Sequence, residues 1–271
     1  MGELSVYARN KALDNVFNEQ YTSPTTVYLA LCTADPTENG TGSSMSEVPN
    51  SSGYSRKAIV FDTAAGRQID QDQNVGFDEL TGSLGTASHY AIVDSATHGA
   101  GNMLGFGEFD EPKQLVAGNT PVVEAGEIFV EIEPGEVSDY LANKWLDMFF
   151  RGQTFTKPNT YVGWATATID DDDTGSTVTE PSVGDYARVQ VNPNSGSNPK
   201  WSVASGGALS NASAVAFATA TAQQGTLTSV FTVDASTAGN LLMYDNAIAD
   251  QLVGNGDIVE FLTGDLDAQL T

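Results

Sequence analysis

The segment "VFTVDASTAGNLLMYDN" (Val230–Asn246) has a counterpart about 140 residues earlier in the chain, "YAIVDSATHGAGNMLGFGE" (Tyr90–Glu108). Each begins with a short run of β-branched and aromatic residues and reaches a Val-Asp step. Each then continues through small residues and glycine and resumes at Asn followed by apolar residues. Two strand-like runs joined by small turn residues are typical of a β-hairpin. The sequence therefore predicts the same hairpin twice.

Four further pairs of segments match in the same order along the chain, which identifies a tandem duplication. They are Tyr7–Phe17 with Tyr140–Phe150, Tyr21–Ala34 with Phe155–Ala167, Gly53–Arg56 with Asp185–Val189, and Ala117–Ile132 with Asn255–Leu270. Between the copies, "EPGEVSD" (Glu133–Asp139) has the Pro-Gly pair and acidic residues of a turn. We therefore predict a first β domain over 1–133, a linker over 134–139 and a second β domain over 140–271.

Each copy begins with a segment whose apolar residues have helical spacing, at i, i+3 and i+4. These residues are Leu13, Val16 and Phe17 in the first copy and Leu146, Phe149 and Phe150 in the second. Short strand-like segments separated by Gly, Asn, Asp and Ser follow in both copies. The predicted fold class is mainly β: two similar antiparallel β-sandwich or jelly-roll-like domains, each led by a short amphipathic helix. The predicted strands are "TVYLALCTA", "SRKAIVFD", "SHYAIVD", "NMLGFGEF" and "GEIFVEI", with counterparts "TYVGWATA", "ARVQVN", "SVFTVD", "NLLMYDNAI" and "GDLDAQL".

The chain of 271 residues is strongly acidic, with 35 Asp and Glu against 11 Lys and Arg and a net charge of −24. Such a charge repels nucleic-acid phosphates and anionic membranes, so we predict no nucleic-acid partner. No apolar run approaches the ~20 residues of a membrane span, so no membrane insertion is predicted. A carboxylate excess is also typical of proteins from saline cytoplasm, which makes a halophilic host a hypothesis. The single Cys32, in the apolar run "VYLALC", excludes an internal disulfide and is predicted to be a buried small hydrophobe.

Two pairs of residues recur at matching positions and are the candidate site residues. Asp94 and Asp234 end a predicted strand before small residues and Gly, where an aspartate stabilises a turn by accepting backbone N–H bonds. The alternative, a catalytic carboxylate or metal ligand, lacks a second recurring acidic residue. Arg56 and Arg188 follow matching tyrosines, and each is predicted either to brace carboxylates or carbonyls between strands or to contact an anion or glycan.

Other candidates for chemistry find little support in the sequence. The two histidines, His89 and His98, are matched in the second copy by Ser229 and Ala238, which excludes duplicated histidine chemistry. Ser88, His89 and Asp94 lie on one short strand, where His89 and Asp94 face opposite sides. The Gly-rich segment 99–107 opens no helix to cradle a phosphate. The aspartate run 170–173 lacks the alternating ligands of a calcium loop and is predicted to be a solvated charge run. We therefore predict no catalytic residue, cofactor or metal.

The matched blocks resemble a widespread family of tailed-virus proteins described as phage tail fibre-like or virion structural proteins. The resemblance includes the opening Leu-Asp-x-x-Phe helix and the Tyr-x-Arg step, and it is strongest in "VDASTAGNLLMYD" and "NGDIVEFLTGDL" of the second copy. The first copy departs from the pattern at "HGAGNM". The resemblance covers both copies, implies a virion component assembled in the host cytoplasm, and carries no catalytic residue with it.

The sequence and this resemblance together predict a non-enzymatic structural protein on the exterior of a tailed virus particle, either tail- or fibre-associated or head-decorating. Its partners would be capsid or tail proteins and further copies of itself, since a trimer of two-domain chains presents six similar domains. One alternative is a receptor- or glycan-binding adhesin module, for which Trp164, Trp201 and Tyr186 would supply an exposed aromatic platform, although the strand position of Trp164 favours the core. Another is a polysaccharide depolymerase, which would need a carboxylate pair in a groove.

Overall fold

The computed structural model describes residues 2–192 and 198–270, and its fold is mainly β with antiparallel pairing, as the sequence predicted. The elements of the first copy are β1 Gly2–Leu4, α1 Val6–Phe17, β2 Val27–Cys32, β3 Lys57–Ile59, β4 Gln68–Asp70, β5 Val75–Gly76, β6 Gly85–Val93, β7 Met103–Leu115, β8 Val122–Val123 and β9 Phe129–Glu131. Those of the second copy are α2 Asp139–Phe150, β10 Thr160–Ala165, β11 Val189–Asn192, β12 Ala208–Ser210, β13 Val215–Ala216, β14 Gly225–Leu227, β15 Ser229–Val233, β16 Leu241–Asp245, β17 Gln251–Val253, β18 Glu260–Phe261 and β19 Asp267–Gln269.

The main sheet has the same strand order in both copies. In the first copy it is β1-β7-β6-β2-β3, with the small pairs β4-β9 and β5-β8 beside it. In the second copy it is β16-β15-β10-β11, and an isolated bridge between Val137 and Met243 stands where β1 pairs with β7. The long hairpin β6-β7 is divided there into β15-β16 and β14-β17, and β12-β19 and β13-β18 are the remaining pairs.

A serine begins each helix for the same physical reason. The first N–H groups of an α-helix have no partner within the helix, and a side-chain oxygen at the N-cap position satisfies one of them. Ser5 Oγ accepts the N–H of Ala8 at 3.2 Å, and Ser138 Oγ accepts that of Leu141 at 3.2 Å. Each serine also donates to a main-chain carbonyl of the hairpin, which attaches the start of the helix to the sheet.

Two compact units divide the described chain differently from the two sequence repeats. Unit 1 consists of Met1–Arg9, Thr22–Glu133 and Asn143–Phe155, and unit 2 consists of Asn10–Tyr21, Pro134–Ala142 and Thr156–Thr271. Unit 1 therefore contains the second part of α2, and unit 2 contains the second part of α1. The domain boundaries at 133 and 140 stay a prediction about how each repeat folds by itself.

The helical segment in each unit contacts a tight turn of the β structure through the same two side chains. In unit 1, Asn143 Oδ1 accepts the N–H of Arg67 at 2.9 Å, and Asp147 Oδ1 accepts that of Ala64 at 3.1 Å. The matching contacts in unit 2 join Asn10 to the N–H of Gly207 at 2.8 Å and Asp14 to the N–H of Ala204 at 2.9 Å. The aromatic pairs Phe61–Phe150 and Phe17–Trp201 pack beside them, in units 1 and 2 respectively.

The buried positions of the two units correspond, but the side chains that fill them differ in size. In unit 1, Ala30 on β2 and Ala91 on β6 are paired in register and fully buried. In unit 2 the matching pair is Gly163 on β10 and Phe231 on β15. A Cβ atom on Gly163 would stand 2.4 Å from the Phe231 ring, so the large ring requires glycine opposite it.

Among the described residues, neither helix has the length and apolarity to cross a bilayer.

Candidate functional site

The first candidate arginine, Arg56, lies just before β3 and is surrounded by acceptors. Its Nε donates to Glu47 Oε1 at 2.9 Å and its Nη2 to Glu47 Oε2 at 2.7 Å, a bidentate pair. The remaining bonds go to the main-chain carbonyls of Ser95 at 2.9 Å, Ala100 at 2.8 Å and Gly42 at 2.9 Å. The Arg56 and Glu47 side chains are 0% and 3% exposed. One residue thus joins the strand edge, the hairpin loop and the loop after β2.

The second candidate arginine, Arg188, repeats this arrangement just before β11. Its Nε lies 3.1 and 3.0 Å from the two carboxylate oxygens of Glu180, and its Nη2 lies 2.5 Å from Glu180 Oε1. Its other donors reach the carbonyls of Ala235 at 3.0 Å, Ala238 at 2.7 Å and Gly175 at 2.6 Å. The guanidinium also stands over the Phe231 ring, 5.4 Å from its centroid, at a cation–π distance.

A tyrosine completes each ion pair. Tyr54 Oη donates to Glu47 Oε1 at 3.0 Å and accepts the N–H of Leu31 on β2 at 2.9 Å. In the second copy Tyr186 donates to Glu180 Oε2 at 2.7 Å. Burial first, and then the neighbouring glutamate, raises the pKa of both tyrosines, so each hydroxyl remains a proton donor across the ordinary pH range.

The geometry at the two arginines favours bracing over anion contact. A guanidinium has five N–H donors, and those of Arg56 have five acceptors within the protein, as do those of Arg188. An anion would have to displace a buried carboxylate or carbonyl to reach either group. We therefore propose a bracing role for both arginines.

Asp94 and Asp234 hold the two ends of the hairpin loop together. Asp94 Oδ1 accepts the main-chain N–H of Asn102 at 2.7 Å, and Oδ2 accepts the side-chain amide of the same residue at 2.7 Å. Asp234 and Asn240 repeat both bonds at 2.7 and 2.6 Å. Gly101 precedes Asn102 with φ of +84°, and a Cβ there would stand 2.5 Å from Asp94 Oδ1. The sequence analysis did not identify these asparagines as partners of the aspartates. The signal that could have identified them is the Gly-Asn step that ends the loop in both copies.

The structure also shows where the remaining candidates for chemistry, the Ser88-His89-Asp94 set and the aspartate run, are located. Ser88 Oγ lies 2.8 Å from His89 Nδ1, whereas Asp94 is engaged with Asn102 in the hairpin, so the structure does not assemble these residues as a triad. In the aspartate run, Asp173 accepts the N–H of Asp170 at 2.9 Å and the hydroxyl of Thr177 at 2.7 Å. Within the described part of the chain, no three His, Cys, Asp or Glu side chains form a group that could hold a metal ion.

The aromatic platform considered for glycan binding is not formed. Trp164 is 0% exposed, and Trp201 is 6% exposed and packs 4.4 Å from the Phe17 ring, centroid to centroid. Tyr186, half-buried, is perpendicular to Trp164 at 5.5 Å. All three rings pack within unit 2, and a sugar would find no open indole face there.

Cys32 is fully buried in the apolar cluster of unit 1, and burial raises the pKa of its thiol to about 12. Because the thiolate is the reactive form, we expect the folded protein to resist alkylation by iodoacetamide at pH 8 over hours. Labelling should appear only with unfolding by denaturant, as measured by intact-mass spectrometry. Rapid labelling of the native protein would contradict the buried position of Cys32.

Comparison with known families agrees with the repeated geometry. The family model described as Podophage GP4 fiber I protein gp80 matches the chain twice, over residues 3–131 and 136–269. A search of the curated proteins finds no match. The two matched segments coincide with the two copies that share strand order, arginine brace and hairpin. The chain therefore belongs to the gp80 family of phage fibre proteins and carries two tandem copies of its domain.

Proposed function

We propose that the protein is a non-enzymatic structural component on the exterior of a tailed virus particle, located in the tail fibre apparatus. The observation that carries this proposal is the double match to a phage fibre family over nearly the whole chain. Membership of that family supports a place in the virion beside other virion proteins.

The internal chemistry supports a structural role. The residues that recur between the copies, an arginine, a tyrosine, a glutamate and an aspartate, make hydrogen bonds to one another or to the backbone. A depolymerase would need two carboxylates facing each other across a groove, one of them free to be protonated. Glu47 and Glu180 instead each accept an arginine fork and a tyrosine hydroxyl.

Self-association is part of the proposal. A threefold assembly of two-copy chains would present six similar domains, a way for one gene product to meet both threefold and sixfold surroundings in a tail. Head decoration is the competing location, because repeated β domains suit a capsid lattice equally well.

We expect purified particles to contain the protein at a tail-like copy number, on the order of a few dozen or fewer, which follows from the limited symmetry of a tail. Quantitative mass spectrometry against the major capsid protein measures this number, and immunogold labelling locates it. Labelling at the tail supports the proposal. Hundreds of copies distributed over the head would overturn the fibre location in favour of decoration, and absence from the particle would overturn both.

A further inference from the structure

The strand pair β13-β18 in unit 2 exposes large apolar side chains to water. Successive side chains of a strand point to opposite faces, so Ile258, Glu260 and Leu262 share one face. Ile258 and Leu262 are 57% and 58% exposed. Val259 and Phe261, which alternate with them, point to the other face and are half-buried. The alternation shows that Ile258 and Leu262 face outward as part of a regular strand.

The neighbouring strand continues this apolar face. Ala216 is paired with Glu260, and Ala214 and Ala218 lie on the same side of their strand as Ala216. Ala216 and Ala218 are exposed, and Ala214 is half-buried. We call the six outward side chains of these two strands the β13-β18 face. Its only charged group is Glu260, and the other five side chains are apolar. An exposed apolar patch of this kind indicates a contact surface.

The first copy has polar side chains at most of the corresponding positions. The strand pair β5-β8 has the same register as β13-β18, and in both pairs the phenylalanine that follows donates its N–H across the pair at 2.9 Å. The outward face of β5-β8 consists of Asn74, Gly76, Asp78, Thr120, Val122 and Glu124. Both of its acids have partners within the first copy, since Asp78 pairs with Lys57 at 2.6 Å and Glu124 accepts from Asn74. The shared fold therefore does not require an apolar face at this place.

Glu260 determines the charge that a partner must carry. Its side chain is exposed, and no ion pair in the described part of the chain includes it. A purely apolar partner would remove this carboxylate from water without a counter-ion, which is strongly unfavourable. A lysine or arginine at the centre of the partner's surface supplies that counter-ion, and apolar side chains around it cover Ile258 and Leu262.

A second copy of this chain does not meet the requirement. In a two-fold pair the same face lies on both sides of the interface, and the β13-β18 face holds no cation. Two chains of net charge −24 also repel each other. The charge of the face therefore favours a different protein as its partner.

We propose that the β13-β18 face of unit 2 docks another protein of the virion, through a surface that presents apolar side chains around one lysine or arginine opposite Glu260. The apolar side chains cover Ile258, Leu262 and the three alanines, and the cation pairs with the carboxylate. The two copies then have different roles, because the polar face of the first copy stays in water. The inference rests on the proposed function, since it takes the partner from the virion.

The test uses particles in which the full chain carries the photoreactive residue p-benzoylphenylalanine in place of Ala216. On irradiation we expect cross-links to one other virion protein, and mass spectrometry of the digested particles should locate them next to a lysine or arginine flanked by apolar residues. Adding Glu260→Lys places a cation against the partner's cation. It should lower the yield of this cross-link at least about tenfold, because like charges in an interface oppose binding.

The matched controls change the corresponding positions of the first copy. The photoreactive residue in place of Gly76, where an added Cβ atom meets nothing within 4 Å, should give no cross-link to the same protein. Val122→Lys, at the position that corresponds to Glu260, should leave the yield from position 216 unchanged. Circular dichroism melting curves of the purified variants verify that each is folded.

The possible failures are distinguishable. Particles that contain the protein but give no cross-link from position 216, or cross-links only between copies of this chain, would overturn the docking face and leave the virion location standing. An unchanged yield with Glu260→Lys would also overturn the docking proposal, because the charge pairing defines the partner. Absence of the protein from the particles would overturn the proposed function and this inference together.

Discussion

Arg56→Met is expected to lower the free energy of unfolding of unit 1 by about 3–5 kcal/mol, because it leaves the Glu47 carboxylate buried without its counter-ion. The same change removes the donors to three main-chain carbonyls, at Ser95, Ala100 and Gly42. Urea denaturation followed by circular dichroism measures the effect. The matched control is Lys57→Met, next along the chain, whose ion pair with Asp78 joins side chains that are 25% and 66% exposed. An exposed pair of this kind contributes less than about 1 kcal/mol.

The second copy supplies an internal comparison for the same prediction. Arg188→Met should cost less than Arg56→Met, because the Glu180 side chain is 19% exposed and the Glu47 side chain only 3%, so water reaches the unpaired Glu180 carboxylate more easily. Replacing both members of the first pair with apolar residues, Glu47→Leu with Arg56→Met, should recover part of the loss, since no unpaired charge remains. If Arg56→Met is no more destabilising than Lys57→Met, the bracing role proposed for the arginines is wrong.

Local sequence signals predicted the elements of the fold because those elements depend on near neighbours. The i, i+3, i+4 spacing of Leu146, Phe149 and Phe150 located α2, and the β-branched run before Asp94 and the Leu- and Phe-containing run after the loop located β6 and β7. The lengths were less predictable. β7 extends to Leu115, beyond the predicted "NMLGFGEF", because its partner β6 begins at Gly85 and continues the ladder. Where a strand ends depends on the strand with which it pairs, and the sequence of the strand itself does not contain that information.

The brace was partly predictable. In an arginine-poor chain, the recurrence of Arg56 and Arg188 after matching tyrosines identified half of each cluster. The glutamate partners were missed, because 35 acidic residues give no reason to choose one. A weak signal exists in the matched steps Ser46-Glu47-Val48 and Thr179-Glu180-Pro181. In the structure, the carbonyls of residues 46 and 179 accept the N–H groups of the threonines directly after β2 and β10.

The membership of the compact units was not predictable from periodicity, because an amphipathic helix does not specify which apolar surface it will cover. The sequence pattern that does relate to the membership of the units is formed by polar residues. Asn and Asp recur at i and i+4 in both helices, as Asn10 and Asp14 and as Asn143 and Asp147. Two polar residues on one helix face among apolar neighbours indicate that their side chains accept hydrogen bonds from buried N–H groups. The turns at Ala64 and Ala204 supply these N–H groups.

The contents of unit 1 lead to a prediction about truncation. Phe149 and Phe150 are 0% and 3% exposed, and both belong to unit 1 together with Leu146, which is fully buried. Removing a buried Phe or Leu side chain costs about 2–5 kcal/mol, so losing all three costs about 6–15 kcal/mol, which is comparable to the whole 5–15 kcal/mol that stabilises an ordinary domain. The N–H groups of Ala64 and Arg67 would lose their acceptors as well.

We therefore expect a fragment of residues 1–155, which contains every segment of unit 1, to fold cooperatively, and a fragment of residues 1–133, which lacks Asn143–Phe155, to remain largely unfolded. Dispersion of amide resonances in NMR spectra and a cooperative urea transition distinguish the two states. The matched control is the 1–155 fragment with Phe149→Ser and Phe150→Ser, which has the same length but lacks the apolar face and should behave like 1–133. If 1–133 folds with the same transition midpoint as 1–155, the first repeat is an independent domain that ends near residue 133, and the helix from the second repeat only decorates it.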